Sequence, residues 1–139
     1  MAKQISDEVG LAALKAGLAV LNGEIPAQTC TSREWKTAVR WGLQELARLA
    51  PGRAVEVRVP PAGAVQILGG TVHRRGTPPA VVEMSMETFV ALAAGKYTWQ
   101  EILEGDTNPK RKIIGSSGKP LQVEASGERA EIGHLFPLL

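Results

Sequence analysis

The sequence is poor in the residues that build most metal and nucleophile sites. It contains a single cysteine, Cys30, and two histidines, His73 and His134, in 139 residues. One cysteine excludes an intrachain disulfide, and these three residues lie too far apart in sequence for the paired spacings of a metal site. Cys30 has no basic neighbour before Arg33, which favours an inert thiol over an activated nucleophile. We therefore expect no metal and no catalysis by Cys30.

Other catalytic and cofactor-binding patterns are missing too. The chain has no Gly-x-Ser-x-Gly nucleophile motif. The Gly-Gly-Thr run at residues 69–71 lacks the lysine and the following helix of a phosphate-binding loop. No pair of titratable residues has enough local context to be assigned acid and base roles. The sequence thus predicts a protein that is not an enzyme and needs no cofactor.

Charge and hydropathy exclude two further classes of partner. A net charge of +2 is too small for the basic footprint of a nucleic-acid-binding protein. The apolar stretch at residues 9–21 is broken by Lys15 and Gly17 and is too short for a membrane span or a signal core. With 44% hydrophobic residues the chain can bury a sizeable core. We expect one cytoplasmic domain over residues 1–139, with no nucleic-acid partner and no stable membrane insertion.

Helical periodicity dominates the first third of the chain. Leucines at three- and four-residue steps predict a helix over residues 7–21. Residues 1–30 then comprise this N-terminal helix and a linker, and a capping box at residues 31–34 opens a second helix. Trp35 and Trp41 lie on that second helix among aliphatic neighbours, which favours packing over a stacking platform for bases.

The period changes to two after residue 53. Val55, Val57 and Val59 alternate with Glu56 and Arg58, so we predict that the valines face the helices and the charged residues lie opposite. Further strands are predicted in four segments, at residues 64–68, 71–75, 81–84 and 121–125.

Shorter helices and a polar segment follow the predicted fourth strand. Ser85 caps a helix that runs to Gly95, and a capping box at residues 98–101 opens a helix of one to two turns that ends at Gly105. A short terminal helix is predicted over residues 128–136.

Residues 106–120 are rich in glycine, serine, proline and lysine. They predict a mobile loop, or a hairpin arm if residues 112–114 pair with residues 121–125. Residues 110–112 form a basic triplet. Short basic runs in loops are usually solvated and less often contact lipid headgroups or nucleic acid.

One polar group is a candidate binding site. Alternation places His73, Arg75 and Glu83 on one face of the sheet. Arg58 is the fourth residue of this candidate polar site. Such a group could bind an anion or orient a carboxylate. The alternative, which we favour, is that these side chains simply face water.

The second half of the chain resembles the sterol-carrier-protein family. Residues 81–89 read Val-Val-Glu-Met-Ser-Met-Glu-Thr-Phe and resemble the strand and capped helix of that family. Residues 94–105, with Gly95-Lys96 and a second short helix, continue the resemblance, and residues 123–136 are similar to the family's last strand and closing helix.

A narrower resemblance lies at residues 51–66 and 73–79, which are similar to an actinobacterial branch of sterol carrier family proteins. That branch is itself similar to the C-terminal part of mycothiol-dependent maleylpyruvate isomerases. Their metal-binding helical domain has no counterpart in this sequence, and residues 106–120 are an insertion relative to the branch.

The resemblance implies an α+β fold: a mixed, roughly five-stranded sheet with helices over one face and an apolar cavity between the layers. It also implies non-catalytic binding or transfer of a fatty-acyl or sterol-like ligand. Two alternatives remain open: a partner-binding or regulatory module with a closed cavity, and an accessory domain for a mycothiol-dependent enzyme.

The predicted ligand site lies between the sheet and the helices. The alternative is that its residues fill a solid core, as apolar residues at such spacings usually do. The predicted walls are Trp41, Val65, Ile67, Val82, Met84, Phe89, Leu92, Ile102, Leu103, Leu135 and Phe136.

Overall fold

A computed structural model describes residues 4–69, 80–126 and 131–139. This part of the chain has α+β architecture. Its helices are α1 (Asp7–Leu21), α2 (Ser32–Leu49), α3 (Met86–Ala93) and α4 (Trp99–Thr107). Its strands are β1 (Val55–Val59), β2 (Gly63–Ile67), β3 (Ala80–Met84) and β4 (Val123–Ser126). Short 3-10 helices lie at Ala27–Thr29, Pro109–Arg111 and Gly133–Leu135.

Side-chain caps begin all four α-helices. Ser6 caps α1 and Ser85 caps α3, while Thr31 and Thr98 each form a full capping box. These caps confirm the predicted helix starts, because each hydroxyl accepts a bond from an amide that has no partner within the helix. Helix α4 continues past Gly105, the predicted end, and stops at Thr107, because Asn108 precedes Pro109 and is extended.

The four described strands form one mixed sheet in the order β2-β1-β3-β4. Strands β1 and β3 are parallel, and the other two pairs are antiparallel. The sheet is therefore mixed, as predicted. The predicted strand at residues 71–75 lies outside the described residues.

The two faces of the sheet differ in polarity as the alternation predicts. Val55, Val57 and Val59 are 0% exposed and belong to the core, together with residues from all four helices. Arg58 is exposed on the opposite face and Glu56 is half-buried there. The predicted register of β1 is confirmed.

Helices α1 and α2 pack closely through two glycines. A Cβ at Gly10 would lie 2.0 Å from Cγ of Trp41, and one at Gly17 would lie 3.2 Å from Cζ3 of Trp35. The indole Nε1 of Trp41 donates to Oδ1 of Asp7 at 3.1 Å. Both tryptophans therefore pack against α1.

The segment at residues 106–120 is more regular than a loop. The backbone N–H of Leu121 donates to the carbonyl of Ile113 at 2.8 Å, and Ile114 forms a bridge with Pro120. This pairing is a small hairpin arm, the second of the two predicted conformations, although it begins at residue 113.

The C-terminal segment is less helical than predicted. Its described part holds one 3-10 turn, Gly133–Leu135, and Phe136 is already extended at φ −104° and ψ 150°. Pro137 follows, and a residue before proline avoids the helical region because of steric conflict with the ring. The other predicted helical residues, 128–130, lie outside the described residues.

Candidate functional site

An open cleft of about 680 Å³ lies where β1 and β3 end. Because these strands are parallel, their carboxyl ends meet at the same edge of the sheet. A volume of this size falls in the usual range of small-molecule sites. The lining residues are Val20, Ala27, Trp35, Pro60, Glu83, Met84, Ser85, Met86, Glu87, Ser116, Ser117, Lys119, Pro120, Gln122 and Glu124.

The inner wall of the cleft is mainly apolar. Val20 comes from the end of α1, Trp35 from the first turn of α2, and Met84 and Met86 flank the cap of α3. Trp35 is half-buried and held against α1 by its contact with Gly17. Methionine side chains are flexible and polarisable, so this wall can adapt to apolar ligands of different shape.

Glu87 connects the rim of the cleft to the hairpin arm. Its carboxylate accepts hydrogen bonds from the hydroxyls of Ser116 and Ser117, the latter at 3.2 Å. A Cβ at Gly115 would lie 1.7 Å from Oε1 of Glu87, so the glycine permits this close approach. The turn at residues 115–118 is thereby attached to the first turn of α3 at one side of the opening.

The described half of the predicted polar site lies on the outer face of the sheet. Arg58 and Glu83 are register partners on β1 and β3. Arg58 forms an ion pair with Glu56, whose hydrogen bond and charge raise the pKa of the guanidinium. Glu83 also lines the cleft, whereas Arg58 does not. His73 and Arg75, the other members of this predicted group, lie outside the described residues.

The predicted apolar walls belong to one core cluster or pack directly against it. Met84 connects this interior to the large cleft, because it is 4% exposed and still contributes to the lining. The buried members are Trp41, Ile67, Val82, Met84, Phe89, Leu92 and Ile102. The half-buried members are Val65, Leu103, Leu135 and Phe136. Their use as ligand walls stays a prediction.

Leu92 and Phe136 reach a second, smaller cleft of about 410 Å³. There the ring of Trp99 stacks on Phe136 with centroids 6.4 Å apart. The Nε1 of Trp99 donates to Glu131 at 2.9 Å. These contacts fasten the C-terminal segment to α4.

The cleft contains residues that the sequence interpretation did not assign to a site. Val20, Trp35 and Met86 occur at helical spacing and look like ordinary core positions. For Glu87 the sequence predicts only a place in the capped helix. The one available signal was the Met-Ser-Met-Glu run at the end of β3, which places flexible apolar and acidic side chains together at a strand end.

The described ranges hold no group of three or more histidine, cysteine or acidic residues placed to bind a metal ion. No helix in the same ranges combines the length and the apolar character needed to cross a membrane. Cys30 is buried, and this burial, followed by the charge of Glu34, raises the pKa of its thiol.

The mixed sheet packs its apolar face against the four helices, which gives an α+β fold with a cleft at the edge of the sheet. Residues 31–138 match the family model described as bacterial SCP ortholog. The chain therefore belongs to this sterol-carrier-protein-like family, which confirms the resemblance seen in the sequence. No curated protein matches the chain. The closer relation to the actinobacterial branch and to maleylpyruvate isomerases stays a prediction.

Proposed function

We propose that the protein binds or transfers a lipid-like molecule, fatty-acyl or sterol-like, without changing it chemically. The observation that carries this proposal is the cleft of about 680 Å³ with a mainly apolar inner wall, in a domain of the sterol-carrier-protein-like family. Trp35, Met84 and Met86 would contact the apolar part of the ligand. We also propose a cytoplasmic location, to be checked by cell fractionation.

Burial of an apolar chain would supply the binding free energy. Transfer from water is worth about 0.8 kcal/mol per methylene, so ten carbons contribute on the order of 8 kcal/mol before the costs of ordering. Met84 borders both the cleft and the interior beside Val82. The apolar chain would therefore lie in the cleft against Met84.

The hydroxyls beside the cleft support a binding role over a catalytic one. The Ser85 hydroxyl lies 2.9 Å from that of Thr88 and accepts from the Thr88 amide at 3.1 Å. The Ser116 and Ser117 hydroxyls donate to Glu87. Each of these groups forms a structural hydrogen bond, and within the described residues none of them pairs with a histidine as an activated nucleophile would.

The first experiment asks whether the purified protein carries a ligand. Protein isolated from cells is denatured and extracted, and the extract is analysed by mass spectrometry. We expect close to one lipid-like molecule per chain. Binding is then measured with a neutral fluorescent alkyl amide by titration of the delipidated protein.

A matched pair of variants locates the site. Ala27 is exposed and lines the cleft, whereas Gln28 is exposed in the same short helix and does not. Ala27→Trp should weaken probe binding at least about tenfold by filling the opening, an effect of roughly 1.4 kcal/mol. Gln28→Trp should leave it unchanged. Absence of both extracted lipid and probe binding would contradict the proposal and favour the partner-binding module.

A further inference from the structure

The two methionines beyond Met1 lie together in the wall of the large cleft. The protein has three methionines, and both Met84 and Met86 line this opening. They flank Ser85, the N-cap of α3, at the point where β3 ends and α3 begins. Every internal thioether of the chain therefore borders the surface that would contact the apolar ligand.

These two methionines differ in their access to water. Met84 is 4% exposed and belongs to the core cluster. Met86 is half-buried and packs against the same cluster from its edge. Because the cleft is open to solvent, small polar reagents reach Met86 more readily than Met84.

A thioether at such a position can be converted to a polar group and back. Peroxides oxidise accessible methionine to the sulfoxide. The sulfur attacks one peroxide oxygen, the O–O bond breaks, and the other oxygen leaves as water from hydrogen peroxide or as an alcohol from an organic hydroperoxide. The sulfur loses two electrons and the peroxide gains them, and sulfoxide reductases reverse the change with electrons from a thiol.

A sulfoxide at Met86 would oppose ligand binding more than folding. In the empty cleft its oxygen stays hydrated, because Met86 is half-buried beside an open space. An apolar ligand on this wall would remove that water, and burial of a polar group without a hydrogen bond costs free energy. Only the bound state carries this cost, so oxidation shifts the equilibrium toward the free protein.

We propose that Met86 is a reversible oxidation site through which peroxides release the ligand from the cleft. This inference rests on the proposed function and adds a means of regulating it. Oxidation of Met84 has a different consequence, because a sulfoxide within a packed core disrupts the packing itself. The two positions thus separate a response of binding at Met86 from damage to the fold at Met84.

The test treats delipidated protein with hydrogen peroxide and follows both methionines by peptide mass spectrometry. We expect Met86 to gain an oxygen at least about tenfold faster than Met84. Protein oxidised only at Met86 should bind the neutral alkyl amide about five- to tenfold more weakly, with little change in its urea midpoint. Sulfoxide reductases and a thiol should restore the affinity. Bound probe should slow the oxidation of Met86, because it covers the wall.

Variants identify the sulfur that is responsible. Met86→Leu keeps an apolar side chain of similar volume that peroxide cannot oxidise. Whatever its starting affinity for the probe, that affinity should not change after peroxide. The matched control is Met84→Leu, whose affinity should fall after peroxide by the same factor as that of the parent protein. Cys30→Ala removes the remaining oxidisable sulfur of the core and should respond as the parent does.

The outcomes distinguish this inference from the function it rests on. Unchanged probe affinity after oxidation of Met86 overturns the switch and leaves the lipid-binding proposal standing. An equal loss of affinity after peroxide in Met86→Leu and in the parent also overturns the switch, because another residue would then be responsible. Protein that binds no probe before oxidation overturns both.

Discussion

Two regions of the molecule are built from the same kinds of apolar side chain. These side chains fill the interior between the sheet and the helices, but they border an open space in the cleft at the sheet edge. In the interior, a Cβ at Gly42 would lie 2.4 Å from Cε1 of Phe89, so the packing there leaves no room for a methyl group. In the cleft, tryptophan and methionine side chains border an opening of about 680 Å³. The difference arises from where the chain elements end. Apolar residues fill space inside the layers and border it where β1, β3 and α1 stop.

The comparison implies that bulk added inside should affect stability, whereas bulk added at the cleft should affect binding. Phe89→Trp should lower the free energy of unfolding by about 1–3 kcal/mol through overpacking. Met86→Trp, at a half-buried position of the cleft, should cost below about 1 kcal/mol and weaken binding of the neutral alkyl probe. Urea denaturation and probe titration measure the two effects.

The opposite pattern would show that the interior, and not the cleft, holds the ligand. If Phe89→Trp kept its stability and lost the probe, the predicted cavity between the layers would be open and Phe89 would line it. The interior residues predicted from the sequence, from Trp41 to Phe136, would then be ligand walls.

A smaller effect is expected at the attachment of the hairpin arm. Gly115→Ala would push the Glu87 carboxylate away from the turn, because the new Cβ would lie 1.7 Å from its Oε1. Loss of the bonds from Ser116 and Ser117 should cost about 0.5–1.5 kcal/mol. The probe should also dissociate faster in stopped-flow measurements, since this turn borders the opening.

The double variant Ser116→Ala/Ser117→Ala removes the same hydrogen bonds without adding a Cβ at Gly115. It should reproduce the faster release. Unchanged release in both proteins would show that the turn does not control access to the cleft.

The smallest expected effect is on the reactivity of Cys30, which follows the cleft residue Ala27 by three positions in the chain. Its pKa is raised by burial and then by Glu34, so the folded state holds the thiol proton more tightly than the unfolded chain. The protonated Cys30 thiol therefore adds to the free energy of unfolding below the ordinary thiol pKa. This contribution declines as the pH rises through the raised pKa. Alkylation by iodoacetamide should be slow at neutral pH and accelerate only in alkaline solution.

Glu34→Gln tests how far the charge of Glu34 raises the pKa of Cys30, because glutamine retains the capping box with Thr31. The variant should react at a somewhat lower pH than the parent protein. Labelling at neutral pH as fast as in urea would show that Cys30 is accessible, and that the segment before α2 opens readily.

Local signals in the sequence were enough to predict the capped helices and the valine face of β1. Thr31 with Glu34 and Thr98 with Glu101 form their capping boxes between residues three apart, so no distant contact was needed. The hairpin arm was one of two open alternatives, because the bridge from Ile114 to Pro120 depends on a turn that composition alone does not specify.

The cleft could not be predicted in the same way. Its lining comes from separate parts of the chain, and residues such as Val20 and Trp35 follow the same apolar periodicity as true core positions. The pairing of Glu83 with Glu124 depends on a strand register between residues 41 positions apart. Only the arrangement of strand ends in space brings these residues to one opening.

The contact between α1 and α2 has a consequence for where this protein can be cut. The family match begins at residue 31, yet α1 covers Trp41 at Gly10, braces Trp35 at Gly17 and places Val20 in the cleft wall. A fragment trimmed to the matched boundary would expose two indole rings and lose one side of the cleft. The folded unit therefore extends beyond the residues that the family model matches, and α1 forms part of the cleft wall.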